Sequence, residues 1–246
     1  MPAGNNDPGE NMHDVKAILF DTFGSVVDWR TSVIAEMSAF GAQRGISADW
    51  AAFADAWRGA YKPSMDRVRH KERPWTILDV LHRESLETLV AQFGIGGLSE
   101  ADLDHLTRIW HRLTPWPDSV AGLTRLKREY IISPLSNGNV ALLVNLAKYS
   151  ELPWDMVFGS EIARAYKPDP AVYLGACAML GLEPGQVMMA AAHNYDLAAA
   201  RALGMKTGFF ARPTEYGPGQ VRDLKADSDW TVVAVDIADL ATQMGV

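Results

Sequence analysis

The chain predicts an α/β fold, a parallel sheet wrapped by helices, with an all-helical segment inserted after the first strand. Three observations carry this. The apolar run Ala17–Phe20 ends on Asp21 and a glycine turn, "FDTFGSVVDWR". From about Thr31 to about Thr114 the pattern is helical throughout. From Pro115 onward, strands and helices alternate at the spacing of a parallel sheet.

The elements follow in order. Residues 1–13 are polar and rich in Gly, Asn and Pro, and read as a loose tail without an apolar signal core. "TSVIAEMSAFGAQRG" opens on hydroxyl caps and closes at a glycine. "ADWAAFADAWRGAYKPSMDRVRH" repeats apolar residues at three- and four-residue steps. "RPWTILDVLHRESLETLVAQFG" has Pro74 near a helix start and Gly94 at its end. "SEADLDHLTRIWHRL" opens on a Ser99 cap. Strands are expected at "IISPL", "MVFG", "VMMAAA", "TGFFA" and "TVVAV", separated by helices such as "NVALLVNLAKYS" and "AVYLGACAML". The division is therefore a core of residues 14–30 and 115–246 and a helical segment of residues 31–114.

Composition narrows the function. The chain has 246 residues, is 48% hydrophobic and 22% charged, and carries a net charge of −7. That charge argues against nucleic-acid binding, which needs clustered Lys and Arg. No apolar stretch approaches the length of a membrane span. The single Cys177 cannot form an internal disulfide, which fits a reducing cytoplasm, and its Ala-rich surroundings suggest a buried small hydrophobe. The histidines at 13, 70, 82, 105 and 111 show no zinc-ligand spacing, so no metal and no cofactor is expected.

Polar residues gather at the predicted strand ends. Asp21 ends the first, "SNGN" (residues 136–139) the second, Lys167 of "AYKPDP" follows the third, and His193 and Asp196 of "AAAHNYD" follow the fourth. The carboxyl ends of neighbouring parallel strands converge on one crevice, where ligands bind. Each segment alone is an ordinary turn or helix-start signal. Together they bring two acids, a lysine and a Ser–Asn pair to one place.

These four segments, in this order, resemble the motifs of the haloacid dehalogenase superfamily, and within it the type II (S)-2-haloacid dehalogenases. "FDTFGSVVDWR" is similar to the nucleophile motif, "LSNGN" to the second, "YKPDPAVY" to the third and "AAAHNYDLAAARALGMKT" to the fourth. The resemblance covers about residues 15–246 and implies a Rossmann-like core with a helical cap. It implies that Asp21 is the nucleophile, that Lys167 pairs with it and keeps it ionised, and that Asp196 completes the catalytic set. A Lys–Asp pair at about 4 Å is worth roughly 4 kcal/mol at an effective dielectric of about 20. Ser136 and the backbone amides of Thr22 and Phe23 would hold the substrate carboxylate. Ser25 would hydrogen-bond Asp21, and Tyr173 would line the pocket. Asn137 and Arg58 would receive the departing halide, with Arg58 carried in on the cap. Arg67, Arg69, His70, Lys71 and Arg73 read as a solvated face, and Trp57, Phe23 and Tyr195 as candidate apolar walls.

Two kinds of departure bear on activity. Superfamily phosphatases place a second aspartate two residues after the nucleophile; Phe23 stands there. Residues 190–192 are alanines, where a phosphatase would supply a further magnesium-binding acid. Among the dehalogenases, relatives often have Ser at the position of Ala191 and Asn at that of His193. His193 could support the nucleophile, contact the halide, or merely start a helix. The expectation is a metal-independent hydrolase of short 2-haloacids, cytoplasmic and homodimeric. Its alternatives are a magnesium-dependent phosphatase, a hydrolase opening a strained cyclic amino acid, and a non-catalytic binding protein.

Overall fold

The computed structural model describes residues 14–246; the predicted N-terminal tail, residues 1–13, lies outside them. In chain order, β1 (Ala17–Phe20) and β2 (Val27–Asp28) are followed by four helices, α1 (Trp29–Arg44), α2 (Trp50–Arg69), α3 (Leu78–Gln92) and α4 (Glu100–Thr107). A 3₁₀ turn at Arg108–His111 leads to β3 (Thr114–Pro115). The alternating half then runs α5 (Ser119–Leu126), β4 (Ile131–Ser136), α6 (Val140–Tyr149), β5 (Phe158–Gly159), α7 (Ser160–Ala163) and α8 (Pro170–Leu180). It closes with β6 (Val187–Ala191), α9 (Asn194–Ala202), β7 (Lys206–Phe210), β8 (Val232–Ala234) and α10 (Ile237–Gln243).

The main sheet has six strands in the order β5-β4-β1-β6-β7-β8, all paired in parallel. β1, β4 and β6 are almost wholly buried, without the alternation of a one-sided sheet, because helices cover both faces. β1 lies at the centre, between β4 and β6. The chain builds outward from β1 to β4 and β5, then returns to place β6 on the other flank. The crevice at the carboxyl end of β1 is thus the point where strand order reverses.

The helical segment sits between β2 and β3, which pair antiparallel through Val27–Pro115 and Asp28–Thr114 and close its neck. Several boundaries differ from expectation. α1 begins before the predicted hydroxyls, because the Asp28 carboxylate accepts from the Thr31 amide at 3.0 Å and caps the helix a turn earlier. It ends at Gly45, in the left-handed conformation, as predicted. α3 starts at Leu78, well past Pro74, because its first turn is capped from the core: Asn139 Oδ1 accepts from the Asp79 amide at 3.2 Å. α4 begins at a Ser99–Asp102 capping box. "MVFG" contributes only Phe158–Gly159 to the sheet.

Helical and α/β parts are tied by polar contacts as well as packing. Asn139 Nδ2 donates to Asp79 Oδ2 at 2.9 Å, and Asn145 Nδ2 lies 3.0 Å from His111 Nδ1. The Tyr166 hydroxyl donates to the Thr76 carbonyl at 2.6 Å. Cys177 is buried and free, with its thiol pushed up by burial, as a small hydrophobe would be. Among the described residues no helix is long and apolar enough to cross a membrane.

Candidate active site

Asp21 leaves β1 at the central crevice, its amide donating to Ala190 O of β6 at 3.0 Å. The turn after it is closed by Thr22 O, which accepts from the amides of Val26 and Val27 at 2.9 and 3.2 Å. This turn folds Ser25 back, so its hydroxyl donates to Asp21 Oδ2 at 2.7 Å and accepts from the Ala192 amide at 3.0 Å. One serine therefore bridges the nucleophile motif and the fourth motif.

Lys167 reaches the same carboxylate from the loop after α7. Its ammonium donates to Asp21 Oδ1 at 2.9 Å and to Asp196 Oδ2. Its amide donates to Asn137 Oδ1 at 2.7 Å, so the second motif orients the third. Asp196, at the start of α9, also accepts from the Tyr173 hydroxyl. Burial alone would raise the Asp21 carboxyl, but the Lys167 and His193 charges hold it far below the ordinary carboxylate range. Asp196, equally buried, is pushed upward by burial and by its neighbour Asp21, although Lys167 opposes this. The two acids are shifted in opposite directions, and Asp21, at the crevice, is the one held ionised most firmly.

His193 proves to be more than a helix start. It precedes α9 but makes no side-chain cap. Its Nδ1 lies 2.8 Å from Asp21 Oδ2 and its Nε2 lies 2.9 Å from Glu215 Oε2. Burial opposes its charge, yet Glu215 and Asp21 raise its pKa well above the ordinary value. With both nitrogens protonated it donates to both carboxylates. Glu215 was not among the expected residues. It is buried and stays ionised against burial through His193, and it accepts from Trp29 Nε1 at 3.1 Å. Its loop is pinned by Arg212, whose guanidinium donates to Ser25 O at 2.9 Å and pairs with Asp118 at 2.8 Å. The carboxylate fills the space a side chain at Gly24 would need: a Cβ there would lie 2.0 Å from Glu215 Oε1, and Gly24 has φ +90°. The available signal was His193 itself, since a buried imidazole between strand ends calls for a second acid.

The roof is aromatic. Phe23 packs edge-on against Trp110 at 5.8 Å and Tyr61 at 6.4 Å, and Trp29 stacks on Trp110 at 6.3 Å. Arg58 of α2 projects among these rings, 4.3 Å over Tyr61 and 5.5 Å from Trp29. Its Nη1 is buried without a hydrogen-bond partner, as are Thr22 Oγ1 and Trp110 Nε1. Arg58 is thus half-buried, with its guanidinium held among the roof rings. Tyr61, beside Arg58 and Asn137, also feels the charges of Asp21 and Lys167, which places the roof over the nucleophile. His82, stacked 4.3 Å from Trp110, is held neutral by burial, its pKa pushed down to about 3.

The remaining expected residues are placed as follows. Ser136 Oγ is buried and accepts from the Gly138 amide at 3.2 Å. Tyr173 meets Asp196 from below rather than lining open space. Trp57 is wholly buried in the helical core, its indole donating to His82 O at 3.2 Å. Tyr195, a candidate wall, is instead 57% exposed and stacks over the outer face of His193 at 5.8 Å. The expected solvated face holds for Arg67, His70 and Lys71, which are exposed, and is corrected for Arg69 and Arg73. Arg69 donates to the carbonyl of Lys167, and Arg73 pairs with Glu84 at 2.6 Å. The turn after α2 carries both back towards the core.

This constellation of a buried, lysine-paired aspartate at the central strand end under a helical roof defines a class. A family model for haloacid dehalogenase-like hydrolases matches residues 15–204, and the chain belongs to that family. Within it the relatives are 2-haloacid dehalogenases. A defluorinating L-2-haloacid dehalogenase, Rha0230, is 51% identical with a TM-score of 0.92, covering 94% of this chain and 96% of its own. The L-2-haloacid dehalogenase PA0810 is 53% identical with a TM-score of 0.91, covering 94% and 98%. (S)-2-haloacid dehalogenase 1 of Pseudomonas sp. (strain CBS-3) is 27% identical, covering 83% of this chain and 89% of its own.

Proposed function

We propose that the protein is a hydrolase of carbon–halide bonds that converts short 2-haloalkanoic acids to 2-hydroxy acids through an aspartyl ester, without a metal. The observation that carries this is Asp21: an ionised, desolvated carboxylate fixed by Lys167 and Ser25, beneath a roof that carries an arginine whose Nη1 has no partner. A carboxylate so held needs no base to become a nucleophile. Asp21 forms a bond to the halogen-bearing carbon, and the halide leaves with the electrons of the broken bond. The Arg58 guanidinium and the Asn137 amide are the donors for that departing charge. Thr22, Phe23 and Ser136 supply the groups for the substrate carboxylate. Phe23 offers no proton for a leaving alkoxide, which disfavours phosphate esters.

The second half falls to His193. Esterification removes the Asp21 charge, one of the two anions that keep the imidazolium protonated. His193 then releases its Nδ1 proton to solvent with the halide and, still oriented by Glu215, takes a proton at Nδ1 from the water attacking the ester carbonyl. The ester C–O bond breaks, the leaving alkoxide takes the proton from Nδ1 to give the 2-hydroxy acid, and the proton left on the Asp21 carboxyl returns to Nδ1, which restores the carboxylate–imidazolium pair. In this reading residues 31–114 are a cap that excludes bulk water during the first step. The lone buried Cys177 supports a cytoplasmic location, and the family resemblance supports a homodimer.

A single turnover with 2-chloropropionate in heavy-oxygen water, with EDTA present, tests the scheme. Halide should be released and the label should enter Asp21 before product, while Asp21→Asn should lose about 10⁴-fold in turnover. Label appearing directly in product, or release that requires magnesium, would overturn it.

A further inference from the structure

A second cavity, of about 400 Å³, opens where the helical segment meets the core, outside the site just described. One wall is the turn after α2, with Val68, Arg69, Lys71, Arg73 and Trp75; the other is the loop after α7, with Arg164, Tyr166 and Asp169. Its size suits a small organic ligand. Four cationic side chains line it against the single acid Asp169, in a chain whose net charge is −7.

Two of the four charges are paired internally and two are not. Arg69 and Arg73 spend their Nη atoms on Asp66, the Lys167 carbonyl and Glu84, but the Nε of each is buried without a partner. Lys71 and Arg164 are exposed and form none of the ion pairs found among the described residues. Both hold the left-handed backbone conformation, with φ of 60° and 48°, which is uncommon outside glycine and turns their side chains out of the paths of the preceding helices. Between them lies a tilted aromatic pair, Trp75 and Tyr166, with centroids 4.9 Å apart. Cations around an aromatic floor recognise an anion that carries an apolar body.

We propose that this seam is a second binding site, for a small organic carboxylate with an apolar or aromatic body. Lys71 and Arg164 approach the carboxylate from opposite walls, and the body rests on Trp75 and Tyr166. The ligand bridges cap and core beside Arg69, whose guanidinium holds the carbonyl of Lys167. Occupancy therefore favours the arrangement in which cap and catalytic lysine are joined. The proposal stands apart from the reaction assigned to Asp21, and its binding readout needs no turnover.

Benzoate is the probe, titrated into the full-length protein while the Trp75 indole N–H resonance is followed, with the peak assigned by Trp75→Phe. A saturable shift is expected. The double variant Lys71→Glu/Arg164→Glu should weaken it at least tenfold. Without benzoate, that variant should keep its melting temperature and its kcat/KM for 2-chloropropionate within twofold. Equal benzoate affinity in the double variant would overturn the proposal. So would an equal response to inorganic phosphate, which would mark a simple anion patch without an apolar subsite.

Discussion

The floor and the roof of the crevice are built on opposite plans. On the floor, every charge is paired: Lys167 lies between Asp21 and Asp196, and His193 between Asp21 and Glu215. In the roof, Arg58 Nη1, Trp110 Nε1 and both nitrogens of His82 are buried without hydrogen-bond partners. Buried polar groups are normally satisfied, and an orphan asks for an explanation. The floor's charges are satisfied within the protein, whereas Arg58 Nη1 in the roof keeps a free donor, which the proposed mechanism assigns to the departing halide. The difference teaches where catalytic energy resides. Floor residues fix protonation and aim, so their loss damages the resting protein. In the proposed mechanism Arg58 acts when charge departs, so its loss should damage the rate and spare the fold.

The largest break falls on the floor. Lys167→Met leaves Asp21 and Asp196 buried side by side without their common cation, and removing one partner of a buried charge set costs about 3–5 kcal/mol. Urea unfolding should show a loss of that size together with loss of halide release. A stable, active Lys167→Met protein would dissolve the distinction between floor and roof.

Arg58→Ala should do the reverse. We expect a fall in kcat of about 10²–10³-fold, with a smaller change in KM and little change in unfolding midpoint. Arg58→Lys should recover only part of it, since an ammonium lacks the guanidinium fork. Near-normal turnover in Arg58→Ala would return that residue to a structural role.

The smallest effect sharpens the boundary between aim and chemistry. Glu215→Gln keeps the size of the side chain but removes one acid from His193, at a cost of roughly 1–3 kcal/mol. The folded pKa of His193 lies above its unfolded value of about 6.5, so the stability from its pairing is full below that pH. It is lost as pH rises through the folded value. With Glu215 neutralised the folded value drops, so the loss above about pH 6.5 should be smaller and complete at lower pH in urea midpoints measured from about pH 6.5 upward. An unshifted profile would mean that Asp21 alone sets the charge of His193.

Much of this molecule was legible in its chain order. The fold followed from local pattern: apolar runs of strand length, glycine stops, and a helical stretch that cannot join a sheet. Asp21, Lys167, His193 and Asp196 were legible because strand ends in a parallel sheet converge whatever the intervening sequence, so position along the chain implies position in space. Arg58 came only from its "AWRGAY" motif, since periodicity alone makes it a surface charge. What tertiary structure decided was everything set by long loops and absent atoms. Glu215 follows β7 with no motif of its own, and it enters the site because Arg212 pins its loop and Gly24 has no Cβ to exclude it. Arg69 and Arg73 read as a solvated face because sequence cannot show the turn at Lys71 that carries them back against the core. Tyr195 read as a candidate wall alongside Phe23 and Trp57, yet in the folded chain it is exposed and stacks over His193. Spacing along strands and helices is dictated by backbone geometry and survives translation into space. Contacts between loops depend on packing that the whole chain creates at once, and no local stretch of sequence contains it.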